Sequence, residues 1–183
     1  MPHPATVTLS GADVAARIGA AVPGAVQSSA ESHIVLDPAR AYDAMAFLRD
    51  DPELDGKYLV QLTAVDMITR FDVVYHIASL AQNHLFQIKV PADHDQPKVA
   101  SVTPLWIGAN LQEREVYDLF GIQFEGHPEL TRLFLWDKFP GHPLRKDFMA
   151  LPGGQKSGLS QFPKQVAGQS GGEFRPNRPG TGE

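Results

Sequence analysis

The sequence predicts an α+β fold, one domain with a largely antiparallel sheet and flanking helices, followed by an extended C-terminal arm. Three observations carry this. Phe71, Val73, Tyr75 and Ile77 alternate with Asp72, Val74, His76 and Ala78, the period-two pattern of a strand with one core face. Val14, Ile18 and Val22 recur at helical spacing behind Ser10, as do Leu111, Val116, Leu119 and Phe120 behind Asn110. Beyond Phe148 periodicity stops: residues 151–183 hold eight Gly and four Pro. We therefore place the domain at residues 1–148 and the arm at 149–183.

The elements follow in chain order. Ser10 reads as an N-cap with Asp13 three residues on, and Pro23 stops the first helix. Val26 to Ser29 and His33 to Leu36 read as strands. Asp37-Pro38 supplies a cap and an N1 proline for a second helix through Tyr42, Met45, Ala46 and Leu48, ending near Asp50. Lys57 to Val65 and Arg70 to Ser79 are rich in β-branched and aromatic residues. With Leu85 to Val90, across the turn Ala81-Gln82-Asn83, the latter forms an antiparallel hairpin. The segment Pro91 to Pro97 reads as the loop that closes the sheet. Asn110 is the expected cap of the last helix, with Glu113 at N3 and Gly121 as its left-handed C-cap.

Composition bounds the function. The chain is 43% hydrophobic and 20% charged, as in ordinary globular proteins. No apolar run approaches the roughly 20 residues of a membrane span. No signal or transit pattern precedes Ala16, so a cytosolic location is expected. The formal charge of −5 speaks against non-specific nucleic-acid binding, which draws on clustered cations. There is no cysteine, so disulfides, thiolate catalysis and Cys-ligated zinc or iron–sulfur clusters lack their sulfur.

Motifs for chemistry are weak. His76 and His84 fall on facing strands, while His127 and His142 precede prolines, and no H-x-x-x-H or H-E-x-x-H helix occurs. Gly153 to Gly158 lacks the spacing, strand and helix of a phosphate loop. No G-x-S-x-G turn supports a serine nucleophile. A stand-alone metal-dependent hydrolase remains open on the His, Asp and Glu content alone. The dense feature is the run from Glu113 to Gly121. One reading is a capped helix with a charged, solvated face, in which Arg114 and Asp118 form an i,i+4 pair. The other is a partner surface, where Tyr117, Leu119 and Phe120 interleave with ions that gain specificity once buried and paired.

That run, Glu113-Arg114-Glu115-Val116-Tyr117-Asp118-Leu119-Phe120-Gly121, resembles the signature of the C-type subunit family of respiratory complex I, shared with related membrane-bound hydrogenases. The likeness continues through His127 to Leu135 and Gly141 to Phe148, and precedes the run in Ser101-Val102-Thr103, Leu105-Trp106 and Gly108-Ala109-Asn110. It covers about residues 57–148. The resemblance implies a structural subunit of the peripheral arm of a proton-pumping NADH:quinone oxidoreductase, beside the D and B type subunits that build the quinone site. It implies no catalytic, cofactor-binding or metal residues on this chain, flavin and iron–sulfur clusters being carried by partners. It also implies a peripheral place on the cytoplasmic side of the plasma membrane and, for a chain ending at Glu183, the form unfused to the D-type subunit. The equivalent subunit of an energy-converting hydrogenase, or of a ferredoxin- or F420-linked relative, would carry the same blocks. Candidate interface residues are Arg114, Glu115, Asp118, Arg132 and Arg145. In the arm they are Leu159, Phe162, Val166 and Phe174.

Overall fold

Three long strands, β4 (Tyr58–Asp66), β5 (Arg70–Ser79) and β6 (His84–Asp93), form the frame on which every long helix packs. They belong to a computed structural model that describes residues 7–136, 138–139 and 141–149. The predictions for Leu159, Phe162, Val166 and Phe174, and for the arm beyond Met149, lie outside the described residues. The remaining elements are β1 (Val7–Thr8), α1 (Gly11–Ala21), β2 (Val26–Ser29), β3 (Ile34–Leu36), α2 (Ala41–Asp50), β7 (Lys98–Ala100), α3 (Ala109–Phe120), β8 (Gln123–Glu125) and α4 (Lys146–Met149).

The fold is α+β, and its sheet is mixed. The order is β2-β3-β6-β5-β4, with β1 also against β6. The long pairs β4–β5 and β5–β6 and the β2–β3 hairpin are antiparallel, whereas β1 and β3 join β6 in parallel. A separate parallel pair, β7–β8, is connected through α3.

Local chemistry explains most boundaries. Ser10 caps α1 by accepting from the Ala12 amide at 3.3 Å, and Val14, Ala15 and Ile18 turn inward. The expected Asp37-Pro38 start of α2 is displaced. Asp37 accepts from the Ala39 amide at 2.9 Å and closes a separate turn first, so the helix begins at Ala41 with no side-chain cap on Arg40. The predicted break at Pro91 is also corrected, because β6 runs on to Asp93 with Pro91 opposite Asp72. β3 pairs with β6 only as far as Lys89, so Pro91 lies where, among the described residues, no strand pairs on the far edge and a missing N–H is tolerated.

Phe71, Val73, Tyr75 and Ile77 form the core face together with Leu62, Ala64, Ile88 and Val90, under the three long helices. The alternation read from β5 is blurred. Asp72 and Val74 are buried as well, on a strand that lies inside the sheet between β6 and β4. The outer edge of β4 is covered by α3, where the Gln112 side-chain oxygen accepts from the Leu62 amide, which blunts an otherwise open strand edge.

Gly11 sits where α1 meets the β2–β3 turn, donating its N–H to the Glu31 carbonyl at 3.0 Å. A Cβ there would overlap the Ala30 carbonyl oxygen, a backbone atom that cannot swing aside. Gly11→Ala should lower unfolding free energy by about 1–3 kcal/mol in urea titrations, as overpacking does.

Candidate functional site

The segment from Ser101 to Phe148 is organised by carboxylates that have left water. α3 stops at Gly121, whose φ of 78° is the left-handed cap expected from sequence. Its start differs from expectation. Gly108, not Asn110, flanks the helix, so Glu113 is no N3 capping residue. Glu113 instead turns inward with Val116 and Phe120, three and seven residues apart on one face, and is fully buried.

There its carboxylate accepts from the Val102 amide and the Ser101 hydroxyl, both at 2.7 Å, and from the Thr103 hydroxyl at 3.2 Å. The His127 ring lies 4.0 Å away. Its Nδ1 accepts from the Glu129 amide at 3.0 Å, and its Nε2 faces the Asn110 carbonyl at 3.2 Å. Burial pushes the Glu113 carboxyl above its ordinary range, against the pull of these donors and of His127. The buried Tyr75 phenol is held protonated by its own burial and by the Glu113 charge.

Asp118, five residues on, is also fully buried but electrostatically opposite. One oxygen receives the amides of Leu133, Phe134 and Leu135 at 3.0, 2.8 and 2.9 Å, and the other pairs with Arg132 at 2.9 Å. Burial alone would raise its pKa, but the three amides and the guanidinium together hold it below the usual carboxylate range. Arg132 continues to the carbonyls of Phe139 and Gly141. The His142 Nδ1–H donates to the Asp118 carbonyl at 2.9 Å, and its ring fills the space a Cβ on Gly121 would need. Burial, followed by Arg132 and Arg145, lowers the His142 pKa despite that bond.

A third acid, Asp66 at the end of β4, accepts from Ile68 at 2.7 Å and from Lys146 at 2.8 Å, and thereby receives the first amide of α4. Beside it Arg145 lies 4.9 Å over the Phe71 ring and donates to the His94 carbonyl at 2.8 Å.

The predicted interface residues are therefore distributed unevenly. The expected Arg114–Asp118 pair does not form: Arg114 donates to the carbonyls of Thr131 and Arg132, and Asp118 faces the other way. The charged face is not a merely solvated one, since Glu113 and Asp118 lie within the fold. Asp118 spends its charge internally, Arg132 and Arg145 are mostly covered, and Glu115 is exposed on α3. Asp66 escaped notice in the sequence, because nothing near residue 66 signals an amide 80 positions away. Glu113 reads in the sequence as an N3 capping residue, although its spacing from Val116 and Phe120 is a signal for an inward-facing position. Among the described residues, no three His, Asp or Glu side chains converge as metal ligands.

Residues 34–153 match the family described as the 30 kDa subunit of respiratory-chain NADH dehydrogenase. The C-type subunit of the NADH-quinone oxidoreductase of Roseiflexus sp. RS-1 is 44% identical over 148 residues, covering 77% of this chain and 85% of the relative. Its counterpart from Xanthobacter autotrophicus is 47% identical over 143 residues, 74% of this chain and 68% of the relative. In fold alone, the chain resembles a component of the membrane-bound sulfane sulfur reductase, an archaeal respiratory membrane complex. That likeness has a TM-score of 0.60 at 24% identity and covers 75% of this chain and 85% of the other.

Asp118→Asn removes the charge but not the shape, and should lower unfolding free energy at neutral pH by about 2–4 kcal/mol. The pKa shift sets the sign with pH. A depressed folded pKa stabilises above the unfolded value, about 3.9, and that stability is lost as pH falls through the folded value. Glu113, raised, has the opposite sign and opposes folding as pH climbs past its unfolded value. Urea unfolding between pH 2 and 7 should show a shallower acid limb for Asp118→Asn than for the parent chain.

Proposed function

The chain belongs to the respiratory-chain NADH dehydrogenase 30 kDa subunit family, and on that premise we propose that it is a cofactor-free structural subunit of the peripheral arm of a proton-pumping NADH:quinone oxidoreductase. It supports the quinone-site subunits, chiefly of the D and B types, while electrons pass from NADH to quinone through flavin and iron–sulfur clusters held by partners. The observation that carries this reading is the fate of the charges in the matching segment. Glu113 and Asp118 are consumed in holding backbone, Asp118 gripping three consecutive amides, rather than being aimed at a substrate. The absence of cysteine supports placing thiolate-bound clusters on other chains.

We place the subunit peripherally on the cytoplasmic side of the membrane complex. No described helix is long and apolar enough to cross a membrane, which is compatible with that position. Contact with the neighbouring subunits falls to the outward parts of the signature, with Glu115 as the exposed acid of α3 and with Arg114, Arg132 and Arg145 holding the carbonyls of Thr131, Phe139 and His94. An exposed charge of this kind adds little to the isolated fold but much to specificity.

Two measurements test the proposal. The purified chain should show no absorption above the aromatic band and no submicromolar NADH binding by calorimetry, and a stoichiometric chromophore would overturn the scaffold role. Glu115→Lys should leave the unfolding free energy of the free chain within about 0.5 kcal/mol, as surface changes do. The same variant should incorporate less well into affinity-purified complex, and full incorporation would remove Glu115 from the interface.

A further inference from the structure

Building on the scaffold reading, we propose that the β4–β5 turn and the residues Phe134, Trp136 and Leu144 form one prearranged docking surface for a different protein subunit, one presenting an apolar groove edged by carboxylates.

The surface is apolar where a free-standing protein would not be. Met67, Ile68, Phe134, Trp136 and Leu144 are 48%, 66%, 63%, 49% and 51% exposed, although each is a large hydrophobic residue. The backbones that carry them are tied side by side. Asp66 receives the Ile68 amide with one oxygen and the Lys146 amide with the other. Asp118 receives the Phe134 amide on its side chain and the His142 ring on its carbonyl. The Leu144 amide donates to the Leu119 carbonyl at 3.0 Å. The segment 142–146 is thereby fixed between the turn on one side and the Phe134 loop on the other. Phe71 closes the junction, opposite Asp66 in register and in contact with both Arg145 and Phe120.

Ile68 carries the argument further. Its φ is +73°, the left-handed region that a β-branched side chain strongly disfavours and that Gly or Asn would fill without strain. The β4–β5 turn requires that backbone, as the Met67 N–H donates to the Arg70 carbonyl at 2.9 Å, but it does not require Ile, whose side chain gains nothing inside the domain and is among the most exposed apolar groups of the described residues. A partner that covers it supplies the reward.

Charge selects the occupant. Lys138 and Lys146 are exposed beside the apolar residues and make no ion pair among the described residues, with Asp137 next to Lys138 in sequence, on a chain whose formal charge is −5. Asp66 and Asp118 are buried, and Asp147 is 3.5 Å from Arg145. The chain's own residues 151–183 carry four cations, Lys156, Lys164, Arg175 and Arg178, against Glu173 and Glu183, and so match this rim poorly. A second copy meeting the same patch would oppose lysine to lysine. Carboxylates around an apolar groove on another chain complete both requirements.

The test places a photoreactive benzoylphenylalanine at position 68 or 134 of the full chain, expressed in its host, with the complex purified through a tag. The expected result is a cross-link from both positions to one other protein subunit, at a peptide holding Asp or Glu beside apolar residues. Cross-linking to lipid, to residues 151–183, to a second copy or to nothing overturns the proposal. A second arm uses Ile68→Asn. The free chain should melt no lower than the parent, since strain is relieved, while incorporation in competition with the parent falls about tenfold, the effect of losing one hot-spot side chain. A lower melting temperature or undiminished incorporation overturns it. If the tagged chain purifies with the complex but gives no cross-link, the docking surface fails and the scaffold reading stands. If it does not purify with the complex, both fail.

Discussion

The desolvated carboxylate of Asp118 is the constraint on which the second half of the molecule depends. A buried acid is costly unless it is paired and hydrogen-bonded. This one is satisfied by three consecutive main-chain amides and a guanidinium, all from residues 132–135. That stretch has no strand or helix to hold it, so its path is set by the acid. Arg132 passes the constraint on to the carbonyls of Phe139 and Gly141, and the Asp118 carbonyl passes it to His142. The 132–135 stretch thus acquires a defined shape through polar contacts, with none of its apolar side chains fully buried.

Glu113 and Asp118 stand on the same helix, both without exposure to water, yet their pKa values move in opposite directions. The difference lies in what meets them. Asp118 has a full cation at 2.9 Å in addition to its amides. Glu113 has one amide and two hydroxyls, and a histidine 4.0 Å off whose Nδ1 faces the Glu129 amide. Hydroxyls adapt to either protonation state of an acid, whereas a guanidinium favours only the ionised one. The two acids do related structural work, Glu113 fastening the chain that enters α3 and Asp118 the chain that leaves it.

Asp66 extends the scheme across the fold. It ends β4, yet it receives the first amide of α4, so the start of that short helix is capped by a residue 80 positions away. The sheet, α3 and the C-terminal segment are consequently locked together at Phe71, where Phe120, His94 and Arg145 all meet the ring. Strain tolerated at Ile68 and apolar side chains left outside at Phe134 and Trp136 become intelligible on a base this rigid. A surface intended for docking gains most when its ordering cost has already been met in the free chain.

Much of this was legible in the residues themselves. The α+β class, the β5–β6 hairpin, the Ser10 cap and the Gly121 stop are local properties, set by side-chain period, hydrogen-bonding reach of a hydroxyl and the freedom of a glycine, and they appear where the sequence places them. The family, too, is carried by linear order, over residues 34–153. Other features depended on which distant segments come together. A carboxylate binds whichever donors reach it, and neither a helical wheel nor a capping rule can tell that Asp118 will choose residues 132–135 over Arg114, or Glu113 the chain at Ser101 over its own helix end. The parallel joining of β1 and β3 to β6, the strand passing through Pro91 and the Asp66 cap on α4 are of the same kind. Period and propensity act over a few residues, whereas the partners of buried polar groups are settled by desolvation once the chain has closed, and only the tertiary structure records them.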